Sequence, residues 1–130
     1  MDLRNYFESQ KGFGVLATAD KDGNVDAAVY ARPHVMEDGS LAFIMKDRLT
    51  HHNLQSNPRA AYLFKQDGPG YKGKRFFLKK IKETEDSETI ESLRRKFYPT
   101  RNEEAGAKEF AVFFQIEKEL PLIGSGEKED

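Results

Sequence analysis

The residues best suited to bind an anion are concentrated in the stretch Leu41–Arg59. The apolar run Leu41–Met45 has the length of a strand and is followed at once by a charged turn that contains Lys46 and Arg48. Thr50 is predicted to cap a short helix, which ends before the next proline. A helix start presents unpaired backbone N–H groups and the positive end of its dipole, so this turn is a candidate phosphate site. The alternative is an ordinary solvated turn.

The histidines do not suggest a metal site. His51 and His52 are adjacent, so on a helix their side chains point about 100° apart and cannot face one metal together. We predict that both are exposed or lie at an interface, and that His34 is a polar residue at a sheet edge whose hydrogen bonds are satisfied. No Ser/His/Asp arrangement is evident, so the catalytic residues cannot be named.

Composition excludes several classes of protein. With 130 residues, 38% of them hydrophobic, the chain predicts one domain over residues 1–123, and the polar tail 124–130 is expected to be disordered. The 21 basic and 22 acidic residues nearly balance, which argues against nucleic-acid binding. There is no cysteine, no apolar run of transmembrane length and no signal peptide at the N-terminus, so we expect a cytoplasmic protein.

Short strands separated by turn residues predict a mainly β fold. Asp22-Gly23 is typical of a tight hairpin turn, and no βαβ alternation is visible. An antiparallel barrel with peripheral helices is expected, because closure removes exposed sheet edges. The predicted strands are Phe13–Ala19, Val25–Met36, Leu41–Met45, Arg59–Lys65, Lys74–Glu85 and Phe110–Glu117. The predicted helices are Asp2–Gln10, Thr50–Ser56 and one that begins at Ser87 and is stopped by Tyr98-Pro99.

Two of these strands have unusual composition. Val25–Met36 carries three alanines, which let a ligand or a packed helix lie close, and Pro33 should interrupt its hydrogen bonds at an edge or a bulge. Phe110–Ile116 is apolar on both faces, as expected at the centre of a sheet or between two subunits. Together with Tyr62 and Phe64 it gives more apolar surface than one small barrel easily covers, and this predicts a homodimer.

Four segments in this order resemble the pyridoxamine 5′-phosphate oxidase-like family of FMN-binding split barrels. They read GVLATADKDGNVDAA, YARPHVMEDGSLAFIM, RLTHHNLQSNPRAAYLF and DGPGYKG, and the similarity extends from about Phe13 to Ile116. The resemblance implies a six-stranded antiparallel split barrel and a homodimer with two FMN molecules at the subunit interface. Many members carry a basic residue pair where this chain has Leu49-Thr50, so Arg32, Lys46 or Arg48 must supply the charge.

By the same resemblance, the flavin ring lies over the strands that match Val29–Arg32 and Phe43–Lys46, and the phosphate lies at the start of the short helix. The implied cofactor-binding residues are Val29, Tyr30, Ala31, Arg32, Ile44, Met45, Lys46, Arg48, Leu49, Thr50 and Asn53.

The expected function is that of an FMN-dependent oxidoreductase or electron carrier, in which the cofactor performs the electron or hydride transfer. Its partners would be a small-molecule electron donor and acceptor, which the sequence does not name. One alternative is a true pyridoxamine 5′-phosphate oxidase, although the additional C-terminal segment with Arg and His that recognises the substrate is not evident. Another is a non-catalytic module that binds flavin, haem or another flat ligand.

Overall fold

A computed structural model of the protein describes residues 2–97 and 108–124. Within these residues the elements are α1 (Leu3–Ser9), β1 (Gly12–Ala19), β2 (Val25–Val29), β3 (His34–Val35), β4 (Leu41–Lys46), α2 (Leu49–Ser56), β5 (Arg59–Gln66), β6 (Gly73–Thr84), α3 (Ser87–Phe97) and β7 (Glu109–Pro121). The strands pair antiparallel in one sheet with the order β2-β1-β5-β6-β7-β4-β3. The predicted mainly β architecture is confirmed, with seven strands instead of six.

The additional strand arises because the predicted strand Val25–Met36 is divided. β2 pairs with β1 and β3 pairs with β4, so the two halves lie at opposite ends of the strand order. Pro33, which has no amide hydrogen, is buried in the connection between them. Residues 30–33 therefore join the two edges of the sheet, and this connection closes the barrel.

The barrel interior is filled mainly by aromatic side chains. Tyr62 of β5 is fully buried, and its hydroxyl donates to the carbonyl oxygens of Tyr30 (3.2 Å) and Ala31 (3.1 Å) in the connection between β2 and β3. Gly14 faces the same hydroxyl, and a Cβ atom at this position would lie 2.0 Å from it. The main core consists of Phe7, Leu16, Leu41, Phe43, Met45, Leu54, Tyr62, Phe64, Phe76, Leu78, Phe110, Val112 and Phe114.

The predicted strand that is apolar on both faces, Phe110–Ile116, lies within β7. It lies between β6 and β4, and its alternate residues contribute to two cores. Phe113 and Ala111 pack with Ile90 and Leu93 of α3 in the second core. The centre-of-sheet prediction is confirmed. The surface argument for a dimer was wrong, because this strand, Tyr62 and Phe64 are covered within one chain.

The peripheral helices agree with the sequence pattern. Asp2 caps α1 by accepting a hydrogen bond from the Asn5 amide (2.8 Å), and Phe7 of α1 enters the main core. The predicted stop of α3 at Tyr98-Pro99 lies outside the described residues, as do nearly all of the loop that follows and of the tail 124–130. No helix in the described part of the chain is long and apolar enough to cross a membrane.

Candidate functional site

The predicted sequence of strand, charged turn and helix is present. β4 ends at Lys46, which is half-buried, and the Arg48 amide donates to the Lys46 carbonyl oxygen (2.8 Å) to form the turn into α2. The predicted cap was wrong: Arg48 is the N-cap residue of α2, with extended backbone geometry and no side-chain cap. Thr50 is instead buried in the first turn, where its hydroxyl donates to Asp26 Oδ2 of β2 (3.3 Å).

The start of α2 has the features of an anion site. The side chain of the N-cap residue Arg48 accepts no hydrogen bond from the first backbone N–H groups, and these groups carry the partial positive charge of the helix dipole. Arg48 is exposed, so its guanidinium adds a full charge beside them. An anion at this position would be held by backbone N–H groups and one cation.

Tyr30 connects this helix start to β2. Its ring packs edge-on against Phe43, with the centroids 5.9 Å apart. Burial raises the pKa of the Tyr30 phenol, although a hydrogen bond with the Thr50 side chain acts in the opposite direction. The negative charge of Asp26 adds to this increase and the positive charge of Arg48 reduces it. The structure thus brings Tyr30, Arg48 and Thr50 together.

Asp26 is the residue of this cluster that the sequence analysis missed. It is the only charged residue in the small, apolar strand β2, and this was the available signal. Its contact with Thr50 joins residues 24 positions apart, which no local pattern indicates.

Exposed apolar residues lie beside the same cluster. Val29 and Ala31, the sequence neighbours of Tyr30, are both exposed, and Val29 is 67% exposed. Leu49, which precedes Thr50, is 55% exposed. Val29 and Ala31 flank Tyr30 in the sequence, and Leu49 precedes Thr50, whose side chain is bonded to Tyr30; we call these three exposed residues the apolar shelf (Val29, Ala31 and Leu49). A flat aromatic ligand could cover such a shelf.

Four further predicted cofactor-binding residues, Arg32, Ile44, Met45 and Asn53, make contacts within the protein. Arg32 Nη1 donates to the carbonyl oxygens of Phe7 (2.7 Å) and Gln10 (2.9 Å) at the end of α1. Asn53 is buried and donates to Thr18 Oγ1 (3.1 Å). The side chain of Met45 lies in the main core, and that of Ile44 packs against the second core. The side chains of these four residues are thus engaged within the fold.

His51 is buried, and its predicted exposure was wrong. It is 6% exposed, and its ring stacks on Phe110 with the centroids 3.7 Å apart. Nε2 lies 2.9 Å from Glu83 Oε2 of β6, and Nδ1 lies 3.6 Å from Asp47 Oδ1. The side chain thus anchors the first turn of α2 to β6 and β7.

Glu83 completes this anchor. Burial acts to raise the pKa of its carboxyl group, but hydrogen bonds from Lys80, Gln55 and His51 outweigh that effect and lower the pKa to about 2. Gln55 Nε2 donates one proton to the His51 carbonyl oxygen and the other to Glu83 Oε1. The proton between His51 Nε2 and Glu83 therefore belongs to the imidazole.

The other histidines occupy separate places. His52 is exposed, as predicted, and His34 is buried on β3, at one end of the strand order. Among residues 2–97 and 108–124, no His, Asp and Glu side chains form a group of three that could hold a metal ion.

A comparison with models of known protein families and with curated protein sequences finds no match. Solved structures do match. An FMN-binding protein from Syntrophomonas wolfei subsp. wolfei superposes with a TM-score of 0.74 at 18% identity, over 92% of this chain and 83% of that one. HupZ from Group A Streptococcus superposes with a TM-score of 0.72 at 15% identity, over 98% of this chain and 96% of that one. The chain has the split-barrel fold of pyridoxamine 5′-phosphate oxidase-like proteins.

An F420 reductase also has this split barrel, with a TM-score of 0.67 at 17% identity, over 92% of this chain and 97% of that one. At such low identity the likeness concerns the fold.

Proposed function

We propose that this split barrel binds FMN, with the phosphate at the start of α2 and the ring system on the apolar shelf, and serves as a flavin-dependent oxidoreductase or electron carrier. The observation that carries the proposal is the uncapped start of α2 beside the exposed Arg48. The matching FMN-binding protein and F420 reductase support a flavin on this fold.

The residues at the helix start fit a phosphate group. The backbone N–H groups of the first turn would donate to its oxygens, and Arg48 would add a charge-assisted hydrogen bond. One basic side chain is modest for a group with nearly two negative charges. We therefore expect FMN affinity to depend strongly on Arg48 and on salt concentration.

The shelf fits the ring system. Val29, Ala31 and Leu49 would offer apolar contacts, and the hydroxyl of Tyr30 is bonded to Thr50, the residue after Leu49. Bound FMN would supply the electron or hydride transfer, while these side chains bind and orient it and exclude water. Its redox partners would be small molecules.

We further propose a homodimer through the outer face of the sheet, defined by Val15, Val29, Leu63 and Phe77. Val15 of β1 is paired with both Val29 and Leu63, so these side chains form a continuous row across three strands. Val29, Leu63 and Phe77 are 67%, 38% and 38% exposed. A second copy would cover this apolar face, and Val29 belongs to the shelf as well, so the flavin would lie beside the subunit interface.

The phosphate assignment is tested with Arg48→Ala, titrated with FMN and with riboflavin, which lacks the phosphate. We expect FMN binding to weaken by about 1.5–3 kcal/mol, or about ten- to a hundredfold, because a hydrogen bond to a charged group is lost. Riboflavin binding should change little. Arg59→Ala is the matched control, since Arg59 is exposed and pairs with Glu117 outside the site.

Flavin fluorescence reports both titrations. If Arg48→Ala weakens FMN and riboflavin equally, or weakens neither, the phosphate is not bound at the start of α2. The oxidoreductase assignment is tested separately, by adding a reduced nicotinamide to the FMN-loaded protein. Loss of the yellow flavin colour supports electron transfer, whereas a colour that persists with NADH and with NADPH favours a binding role.

A further inference from the structure

Asp26 places a negative charge where the proposed function needs a positive one. Its Oδ2 atom accepts from the hydroxyl of Thr50, the second residue of α2, over 3.3 Å. Thr50 is 3% exposed and also bonded to Tyr30, so it cannot swing away without breaking buried contacts. The carboxylate is thereby held beside the first turn of α2.

The Asp26 carboxylate lies near the first turn of α2, where the helix dipole is positive. Its charge and that of Arg48 act in opposite directions on the neighbouring Tyr30 phenol. No side chain caps the helix, so the positive potential of its first turn is shared between Asp26 and any bound anion. Asp26 therefore reduces the attraction that this site exerts on a second negative group.

We propose that Asp26 is the residue that sets the preference of this site between phosphorylated and unphosphorylated flavins, by acting as an internal anion that competes with the ligand phosphate. The inference rests on the proposed function and deepens it. It makes the charge of β2, together with Arg48, the determinant of how well the protein discriminates FMN from riboflavin.

The size of the effect follows from Coulomb's law. Two unit charges about 4 Å apart in water repel by about 1 kcal/mol, which is about fivefold in a binding constant, and an FMN phosphate carries nearly two charges. Removing the charge of Asp26 should therefore tighten FMN binding by about fivefold or more. Riboflavin has no phosphate, so its affinity should stay within about twofold of the wild-type value.

The experiment compares Asp26→Asn with the wild type by titrating each with FMN and with riboflavin. Asparagine keeps an oxygen that accepts from Thr50, and urea unfolding verifies that the variant is folded. Asp26→Glu keeps the charge and should retain the wild-type ratio of the two affinities. Asp67→Asn, in the exposed turn between β5 and β6, controls for the change in net charge.

The expected result is an FMN-to-riboflavin affinity ratio about fivefold higher in Asp26→Asn alone, with a difference that shrinks in high salt. An unchanged or lower ratio in Asp26→Asn overturns the inference. It leaves the proposed function intact if Arg48→Ala still weakens FMN selectively. If Arg48→Ala has no selective effect, the phosphate site itself is misplaced. A ratio that rises equally in Asp67→Asn also overturns the inference, because the effect is then one of net charge.

Discussion

The Glu83 carboxylate provides the sharpest test of how α2 is held in place. It accepts from Lys80 Nζ (2.6 Å), Gln55 Nε2 (3.0 Å) and His51 Nε2 (2.9 Å). Two of these donors lie on α2, so the group fastens the helix to β6. Glu83→Gln keeps the shape of the side chain and removes the charge that all three donors recognise, which should destabilise the fold.

The magnitude follows from the pKa of Glu83, which is lowered from 4.5 to about 2. Taken in full, a shift of this size corresponds to about 3 kcal/mol. The carboxylate is 23% exposed and one partner is a flexible lysine, so screening by water reduces the effect. We therefore expect Glu83→Gln to lower the free energy of unfolding by about 1–2 kcal/mol near neutral pH.

The same shift predicts how this loss depends on pH. The pKa is lower in the folded protein than in the unfolded chain, so ionised Glu83 stabilises the fold fully above about pH 5. That contribution is lost as the pH falls from 4.5 toward about 2, where the carboxyl group is protonated in both states. The difference between wild type and Glu83→Gln should therefore shrink steadily over this range.

Urea unfolding at several pH values measures both effects. Glu85→Gln is the control, because Glu85 is exposed and its ion pair with Lys108 is long, at 3.6 Å. An equal loss in the two variants, or a loss for Glu83→Gln that is the same near pH 3 as near pH 7, would refute the reasoning.

Three further substitutions test the barrel and its outer face. Gly14→Ala should destabilise the protein by about 1–3 kcal/mol in thermal unfolding, because its Cβ would meet the Tyr62 hydroxyl at 2.0 Å. Tyr62→Phe removes the donor to the Tyr30 and Ala31 carbonyl oxygens and should cost about 1–2 kcal/mol. It also removes the closest of the atoms that the Cβ of Gly14→Ala would meet, so the loss in the double variant should be smaller than the sum of the two single losses. Leu63→Lys should yield folded monomers by sedimentation, whereas a persistent dimer would place the interface elsewhere.

Local signals predicted the elements well and their partners poorly. The break at Pro33 was expected, because proline cannot complete a strand ladder. The sequence did not predict that the two halves of this strand lie at opposite edges of the sheet. Their positions depend on which strand each half pairs with. Likewise, the assignment of Thr50 as a cap used only neighbouring residues, whereas its partner Asp26 lies on another strand.

The same reasoning explains the error at His51. Two adjacent histidines on a short polar helix resemble a solvated pair, and His52 is indeed exposed. The burial of His51 requires Phe110 and Glu83, which are distant in sequence and come together only when β6 and β7 pair. The sequence predicted the strand, the charged turn and the helix that follow one another here, but it did not predict the side chains that hold that helix in position.

The absence of a side-chain cap on α2 is consistent with a binding role because the helix is fixed by other means. Thr50 and His51 are consecutive, so their side chains point about 100° apart. Thr50 is bonded to Asp26 on β2, and His51 is bonded to Glu83 on β6, so the first turn is held from two sides. A cap such as serine would occupy the N–H groups that a ligand phosphate could use. Anchoring the turn from its flanks fixes those N–H groups without occupying them, and it leaves Arg48 exposed at the end that a ligand would approach.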